Sequence, residues 1–91
     1  MQVSEINTDT QILSDHRRNI GKVFKEQRQS LVLSKSEVAS RILVNINYIT
    51  GIEQGDYSVF PARIYALRYF EQYANFLNLK EYDLDESISF K

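Results

Sequence analysis

The sequence predicts an all-α fold, a bundle of four to five helices in a single domain. Along most of the 91 residues, apolar side chains recur every three or four positions, which is the period of an amphipathic helix. Residues that commonly begin or end helices separate these apolar stretches. We expect a flexible N-terminal arm over residues 1–13, the folded domain over 14–79, and an acidic short helix or tail over 80–91.

The first helix is predicted over about residues 15–30. The preceding residues, 1–13, are polar and show no clear period, which is why we expect a flexible arm there. Ile20, Phe24 and Leu31 then follow one another at helical spacing, with basic residues between them.

The second helix has the clearest start signal. Ser34 and Glu37 form an S-x-x-E capping box, in which each side chain accepts a hydrogen bond from a backbone N–H at the start of the helix. Leu33 and Val38 occupy the flanking positions of a hydrophobic staple. We therefore expect this helix to start at Ser34 and to continue to about residue 42.

The third helix is predicted from Ile46 to Gln54. Asn45 before it favours an N-cap, and Gly55 after it favours a left-handed C-terminal residue. Gly51 inside the helix costs about 1 kcal/mol relative to alanine, so it indicates either close approach of another group or a tolerated weakness. Two short helices joined by a short turn, between two longer helices, form the helix-turn-helix arrangement.

A fourth helix is predicted from Pro61, in its first turn, to Asn78. At about 100° per residue, its aromatic and apolar arcs together span about 200°, whereas one core contact needs about 100°. The aromatic arc consists of Tyr65, Tyr69, Tyr73 and Phe76. Either these rings form a partner surface, or they fill the gap between helix 4, helix 1 and the loop at 56–60.

The composition argues against catalysis. The chain has no cysteine and a single histidine, His16, which excludes thiolate metal sites and histidine pairs. It also lacks a glycine-rich phosphate loop. We predict a non-enzymatic protein without metal or cofactor. Because neither a secretory signal nor a run of 18 apolar residues occurs, we expect a cytoplasmic location.

The charge is unevenly distributed, although the formal net charge is only −1. Residues 16–41 contain seven basic and two acidic residues, a net of +5, whereas residues 42–62 contain no lysine or arginine. The basic segment suits an anionic partner, although a solvated helix face would give the same pattern.

Binding of DNA is one function that these observations leave open. In a helix-turn-helix protein the second helix of the motif enters the major groove, while neighbouring residues contact phosphates. The residues in these positions are Lys35, Ser36, Arg41, Asn45, Asn47, Tyr48 and Thr50. A pI of about 5.8 and the lack of cations in 42–62 weigh against this interpretation, because phosphate contacts supply much of the affinity.

The motifs also resemble those of a known family. Residues 21–79 are similar to the cytoplasmic helix-turn-helix domain of RodZ, a bacterial cell-shape protein of the λ-repressor-like, Xre-type class. The resemblance implies a λ-repressor-like helix-turn-helix bundle. The shared motifs are F-K-E-Q-R at 24–28 with L-S-x-x-E-V-A at 33–39, Y-I-x-x-I-E-Q-G-D-Y at 48–57, and F-P-x-x-x-Y at 60–65 with Y-F-x-x-Y-A-x-x-L-x-L at 69–79. The third set distinguishes RodZ-like domains from plain repressors.

The resemblance implies an adaptor for the bacterial actin MreB, tied to the membrane by a segment outside this chain. It implies that Tyr65, Tyr69 and Tyr73 face MreB, and the helical wheel adds Phe76. We expect the basic residues Lys25 and Lys35 to steer an acidic partner. A homodimer formed through helix 4 is a third interpretation.

The chain departs from the family at three places. It has Val44-Asn45-Ile46 where the family often has a basic or proline-containing turn. It has Leu67-Arg68 where the family often has Arg-Gly, on the partner helix itself. It has Val32 where the family often has glycine, at the end of helix 1.

Overall fold

The computed structural model describes the backbone of residues 2–80 and the side chains of residues 15–80. Within that part of the chain all regular structure is helical, as the sequence predicts. The elements are α1 (Gln2–Ser30), α2 (Lys35–Ile42), α3 (Ile46–Gln54), a 3₁₀ helix (Tyr57–Val59) and α4 (Arg63–Phe76). Residues 81–91 of the predicted acidic segment lie outside the described residues.

Helix α1 begins earlier than the sequence predicts. Its backbone is helical from Gln2, so residues 2–13, where we expected a flexible arm, continue the helix that we placed at 15–30. We expected a flexible arm because the apolar residues of this segment do not recur at helical spacing. A helix can extend without such a period as long as no residue breaks it, and neither glycine nor proline occurs before Gly21.

Helices α2 and α3 form the helix-turn-helix at the predicted positions. The capping box is present, because the Glu37 N–H donates to Ser34 Oγ at 3.0 Å and the Ser34 N–H donates to Glu37 Oε1 at 2.8 Å. At the start of α3, the Asn47 N–H donates to Asn45 Oδ1 at 2.8 Å, so Asn45 is the N-cap. Both start signals are thereby confirmed.

Gly51 lies at a close approach between α3 and the segment that follows it. A Cβ at this position would stand 2.6 Å from a methyl carbon of Val59 and 2.8 Å from the carbonyl oxygen of Asp56. Of the two interpretations of this glycine, the close approach is therefore the correct one.

Each of the four α-helices is followed by a residue with left-handed backbone. These residues are Val32, Leu43, Gly55 and Asn78. Such a conformation costs about 1–2 kcal/mol for a residue with a Cβ and almost nothing for glycine. Three of the four ends are followed by an apolar residue that packs on the core, the contact typical of a Schellman ending. These apolar residues are Leu33, Val44 and Leu79.

Helix α4 begins two residues later than predicted. Its N-cap is Ala62, so Pro61 lies before the helix and not in its first turn. Proline restricts the preceding residue to extended backbone, and Phe60 has φ −90° and ψ 142°. At the other end, the Gln27 side-chain amide of α1 donates to the Leu77 carbonyl at 3.1 Å and ties α4 to α1.

The core lies where α1, α3 and α4 meet. A Cβ on Gly21 would stand 2.1 Å from the Glu53 carbonyl oxygen, so α1 and α3 cross almost backbone to backbone. The Phe24 ring lies 4.9 Å from both the Phe70 ring and the Tyr73 ring, centroid to centroid. The fully buried large side chains are Phe24, Val38, Ile49, Ile52, Tyr73 and Leu77.

A buried polar network connects the same three helices. Arg28 of α1 donates from Nε and Nη2 to the two carboxylate oxygens of Glu53 in α3, at 2.7 and 2.9 Å. The Tyr73 hydroxyl of α4 donates to Glu53 Oε2 at 2.6 Å, and Arg28 Nη1 donates to the Leu33 carbonyl at 2.8 Å. The bond to Glu53 raises the pKa of Arg28, and burial, followed by the bond to Glu53, raises the pKa of Tyr73. The network fixes α3 and α4 relative to α1.

Candidate binding surface

Aromatic rings from α3, α4 and the segment between them form one continuous row. The Tyr65 and Tyr69 rings of α4 stack with centroids 6.5 Å apart. Tyr69 then contacts Tyr48 of α3 at 5.1 Å, and Tyr48 contacts Phe60 at 4.8 Å. We call Tyr65, Tyr69, Tyr48 and Phe60 the aromatic row.

The aromatic row is buried at one end and open at the other. Phe60 is 8% exposed, Tyr48 and Tyr69 are half-buried, and Tyr65 is 41% exposed. The spacing of four residues between Tyr65 and Tyr69 lets the inner ring support the outer one. Tyr65 is therefore an accessible aromatic side chain held in place by its neighbours.

Two of the four predicted partner residues on α4 lie outside the aromatic row. Tyr73 is fully buried against Phe24 and donates to Glu53, so it cannot contact a partner in this conformation. Phe76 is partly buried and packs on the core. Tyr73 is therefore a core residue and not part of a partner surface, whereas for Phe76 the partner role stays a prediction. The helical wheel placed all four rings on one arc of α4, although α1 covers the side of α4 on which Tyr73 lies.

Residues predicted to read DNA line an open groove on α3 with a volume of about 430 Å³. Its lining residues are Asn45, Asn47, Tyr48, Thr50, Gly51, Gln54 and Val59. Two of the predicted readers already have structural roles, because Asn45 Oδ1 caps α3 and the Tyr48 ring belongs to the aromatic row. Asn47 and Thr50 remain as candidates for contact with bases.

The predicted cations lie on other elements and not in this groove, whose lining contains no charged side chain. Lys35 and Ser36 are in the first turn of α2, with Lys35 half-buried, and Arg41 is exposed in the last turn. Lys25 is exposed on α1. None of Lys25, Lys35, Ser36 and Arg41 therefore lines the groove.

Sequence reasoning missed that the two alternative sites adjoin each other. Tyr48, assigned to the DNA site, and Tyr69, assigned to the protein site, are in ring contact. Phe60 was not assigned to either site. A contact between rings from different helices depends on tertiary packing, and the spacing of residues in the sequence does not predict it.

The described residues contain no cluster of three or more side chains suited to hold a metal ion. A search of the same part of the chain for a helix of sufficient length and hydropathy to span a bilayer found none.

Comparison with protein families identifies a match over most of the chain. The model of a family described as a helix-turn-helix domain matches residues 23–84, which is more than half of the chain. The match begins one residue before the Phe24 of the core and includes all of α2, α3 and α4. Comparisons with curated proteins and with solved structures found no match.

Proposed function

Because the chain belongs to the helix-turn-helix domain family, we propose that it is a non-catalytic binding module, and specifically a cytoplasmic adaptor that binds a protein through its aromatic row. Given the resemblance to RodZ, the proposed partner is a bacterial actin of the MreB type. The observation that carries the proposal is the open end of the aromatic row, where Tyr65 is 41% exposed and stacked on Tyr69.

Tyrosine in this arrangement suits a protein interface. A tyrosine ring supplies a large contact area, and tyrosine is enriched among the residues that dominate binding energies. Fixing a mobile side chain on binding costs about 0.5–1.5 kcal/mol. Because Tyr69 already restricts the ring of Tyr65 in the unbound domain, binding costs less side-chain entropy at this position.

The distribution of charge also supports a protein partner over DNA. The described α3 has one charged residue, Glu53, which is buried and bonded to Arg28. A helix that enters the major groove without a cation must take all its phosphate contacts from neighbouring elements. The exposed cations Lys25 and Arg41, with the half-buried Lys35, instead fit the role of steering an acidic protein towards the domain.

The proposal is tested by co-sedimentation of the domain with MreB filaments. We expect wild type to bind and the Tyr65→Ala, Tyr69→Ala double variant to lose binding, because alanine at one hot spot typically costs about 2 kcal/mol or more. Tyr65→Phe keeps the ring and should retain binding. Leu31→Ala is the matched control, since it removes an apolar side chain of similar exposure, 47%, at the C-terminal end of α1 and outside the row.

Circular dichroism must show that each variant keeps its helices. Absence of binding by wild type at concentrations of tens of micromolar would contradict the proposal. Equal losses for Leu31→Ala and the tyrosine variant would show that the aromatic row is not the contact.

DNA binding is the second candidate, favoured by the groove that brings Asn47 and Thr50 together on α3. Asparagine pairs with adenine, and the threonine methyl contacts the methyl of thymine. A DNA-binding domain should lose affinity steeply with salt, and Lys35→Ala or Arg41→Ala should reduce that salt dependence. If the domain instead binds a protein, it has no salt-dependent contact with DNA that Lys35→Ala or Arg41→Ala could weaken.

A further inference from the structure

Helix α4 has a second exposed side that the aromatic row does not use. Ile64 is 69% exposed and Leu67 is 38% exposed. They are three residues apart, and Arg63 and Glu71 lie four residues before and after Leu67, so all four share one side of the helix. We call these four residues the Leu67 face. Tyr65 is two positions from Leu67, about 200° around the helix, and so lies on a different side.

The charges on the Leu67 face are arranged so that the face complements itself. Arg63 lies one helical turn before Leu67 and Glu71 lies one turn after it. When two copies of α4 cross antiparallel with a twofold axis at Leu67, residue positions four before and four after the axis come opposite each other. Arg63 of each copy then faces Glu71 of the other, while the two Leu67 side chains meet at the centre.

From this self-complementarity we propose that the Leu67 face binds a second copy of this chain, forming an antiparallel α4–α4 dimer. A twofold contact uses the same patch on both copies, which is the commonest way in which soluble proteins associate. A parallel arrangement would place Arg63 against Arg63 and Glu71 against Glu71, and like charges opposite each other are unfavourable. The charge pattern therefore fixes the direction of the two helices as well as the occupant.

The dimer is expected to be weak and reversible. Helix α4 has 14 residues and is about 21 Å long at 1.5 Å per residue, so the contact is smaller than the roughly 1,200–2,000 Å² of a standard stable interface. It leaves Tyr65 and Tyr69 uncovered on the other side of α4. If the proposed function holds, a dimer carries two aromatic rows and gains avidity on a repeating partner such as a filament.

The dimer is tested by sedimentation velocity of the chain alone, from micromolar to millimolar concentration, without any partner. We expect a concentration-dependent monomer–dimer equilibrium for wild type. Each charge reversal, R63E or E71R, places like charges opposite each other at both symmetric positions and should weaken the dimer roughly tenfold. The double variant R63E/E71R restores opposite charges in the reverse order and should regain wild-type affinity.

R68E is the matched control, since Arg68 lies on the same helix about 100° from Leu67 and outside the proposed pairing. It should leave the dimer intact. Leu67→Asp should give a monomer with unchanged circular dichroism. The proposal is overturned by a wild type that stays monomeric throughout, by single reversals without effect, or by a double variant that does not recover. The failure of this test leaves the binding of MreB by the aromatic row unaffected, because the two experiments share no component.

Discussion

The buried network of Arg28, Glu53 and Tyr73 predicts a specific pattern of stability losses. Both charged residues are buried, with Arg28 7% and Glu53 9% exposed, and their side chains share two hydrogen bonds of 2.7 and 2.9 Å. Replacing only one of them by an apolar residue, as in Arg28→Met or Glu53→Leu, leaves the other charge buried without its counterion. Breaking a buried pair in this way costs about 3–5 kcal/mol.

The double variant Arg28→Met/Glu53→Leu should lose far less than the sum of the two single losses. The two charges leave together, and apolar residues of similar volume can replace a buried ion pair at little net cost. The Tyr73 hydroxyl, however, loses the acceptor to which it donates at 2.6 Å. An unsatisfied buried polar group costs about 1–3 kcal/mol, so we expect the double variant to lose about 2–4 kcal/mol in total. The coupling energy is then several kcal/mol.

Urea denaturation followed by circular dichroism measures these free energies of unfolding. The m-values should not change, since the same surface is exposed on unfolding. Tyr73→Phe provides a milder change, with an expected loss of about 1.5–3 kcal/mol, that stays measurable in a domain whose total stability is about 5–15 kcal/mol. Additive single losses, or a loss below about 1 kcal/mol for Glu53→Leu, would refute the reasoning that the pair is a coupled buried unit.

Three further predictions concern single positions. Val32→Gly should raise the free energy of unfolding by about 0.5–1 kcal/mol in urea titrations, because Val32 is left-handed and 86% exposed, and V32A should gain less. Gly21→Ala should lose about 2 kcal/mol or more in the same assay, since its Cβ would stand 2.1 Å from the Glu53 carbonyl oxygen. The hydrogen bonds from Ser34 lower the pKa of Glu37 in the folded state. The ionised Glu37 side chain therefore stabilises the fold at pH values above its unfolded pKa, and this stabilisation is lost as the pH falls through its folded pKa. Glu37→Gln should make the acid-side loss of stability shallower in a pH series, and an unchanged slope would contradict this.

Local signals predicted the helix-turn-helix because its ends are determined by neighbouring residues. The capping box of Ser34 and Glu37 and the N-cap Asn45 act within three residues of each helix start, and the structure confirms both. The start of α1 could not be predicted in this way, because the apolar period on which the assignment depended is absent in residues 2–13. Val32 and Leu43 end their helices in left-handed backbone although neither residue favours it, so no local rule identifies them.

The candidate site was only partly predictable for a related reason. The helical period placed Tyr65, Tyr69 and Tyr73 on neighbouring positions of α4, but it cannot tell which of them α1 covers. Tyr73 became a core residue because Phe24 and Glu53 lie opposite it. Tyr48 joined the aromatic row because α3 packs beside α4, and that contact depends on the tertiary arrangement of the helices.

Mapping the contact residue by residue tests most directly whether the aromatic row binds MreB. Isotope-labelled domain titrated with MreB in solution gives amide shift and line-width changes that locate the bound face. We expect the largest changes at Tyr48, Tyr65 and Tyr69, and none at Lys22, which is exposed on α1. Changes concentrated at Asn47 and Thr50, or no changes with MreB but changes there on adding duplex DNA, would contradict this expectation.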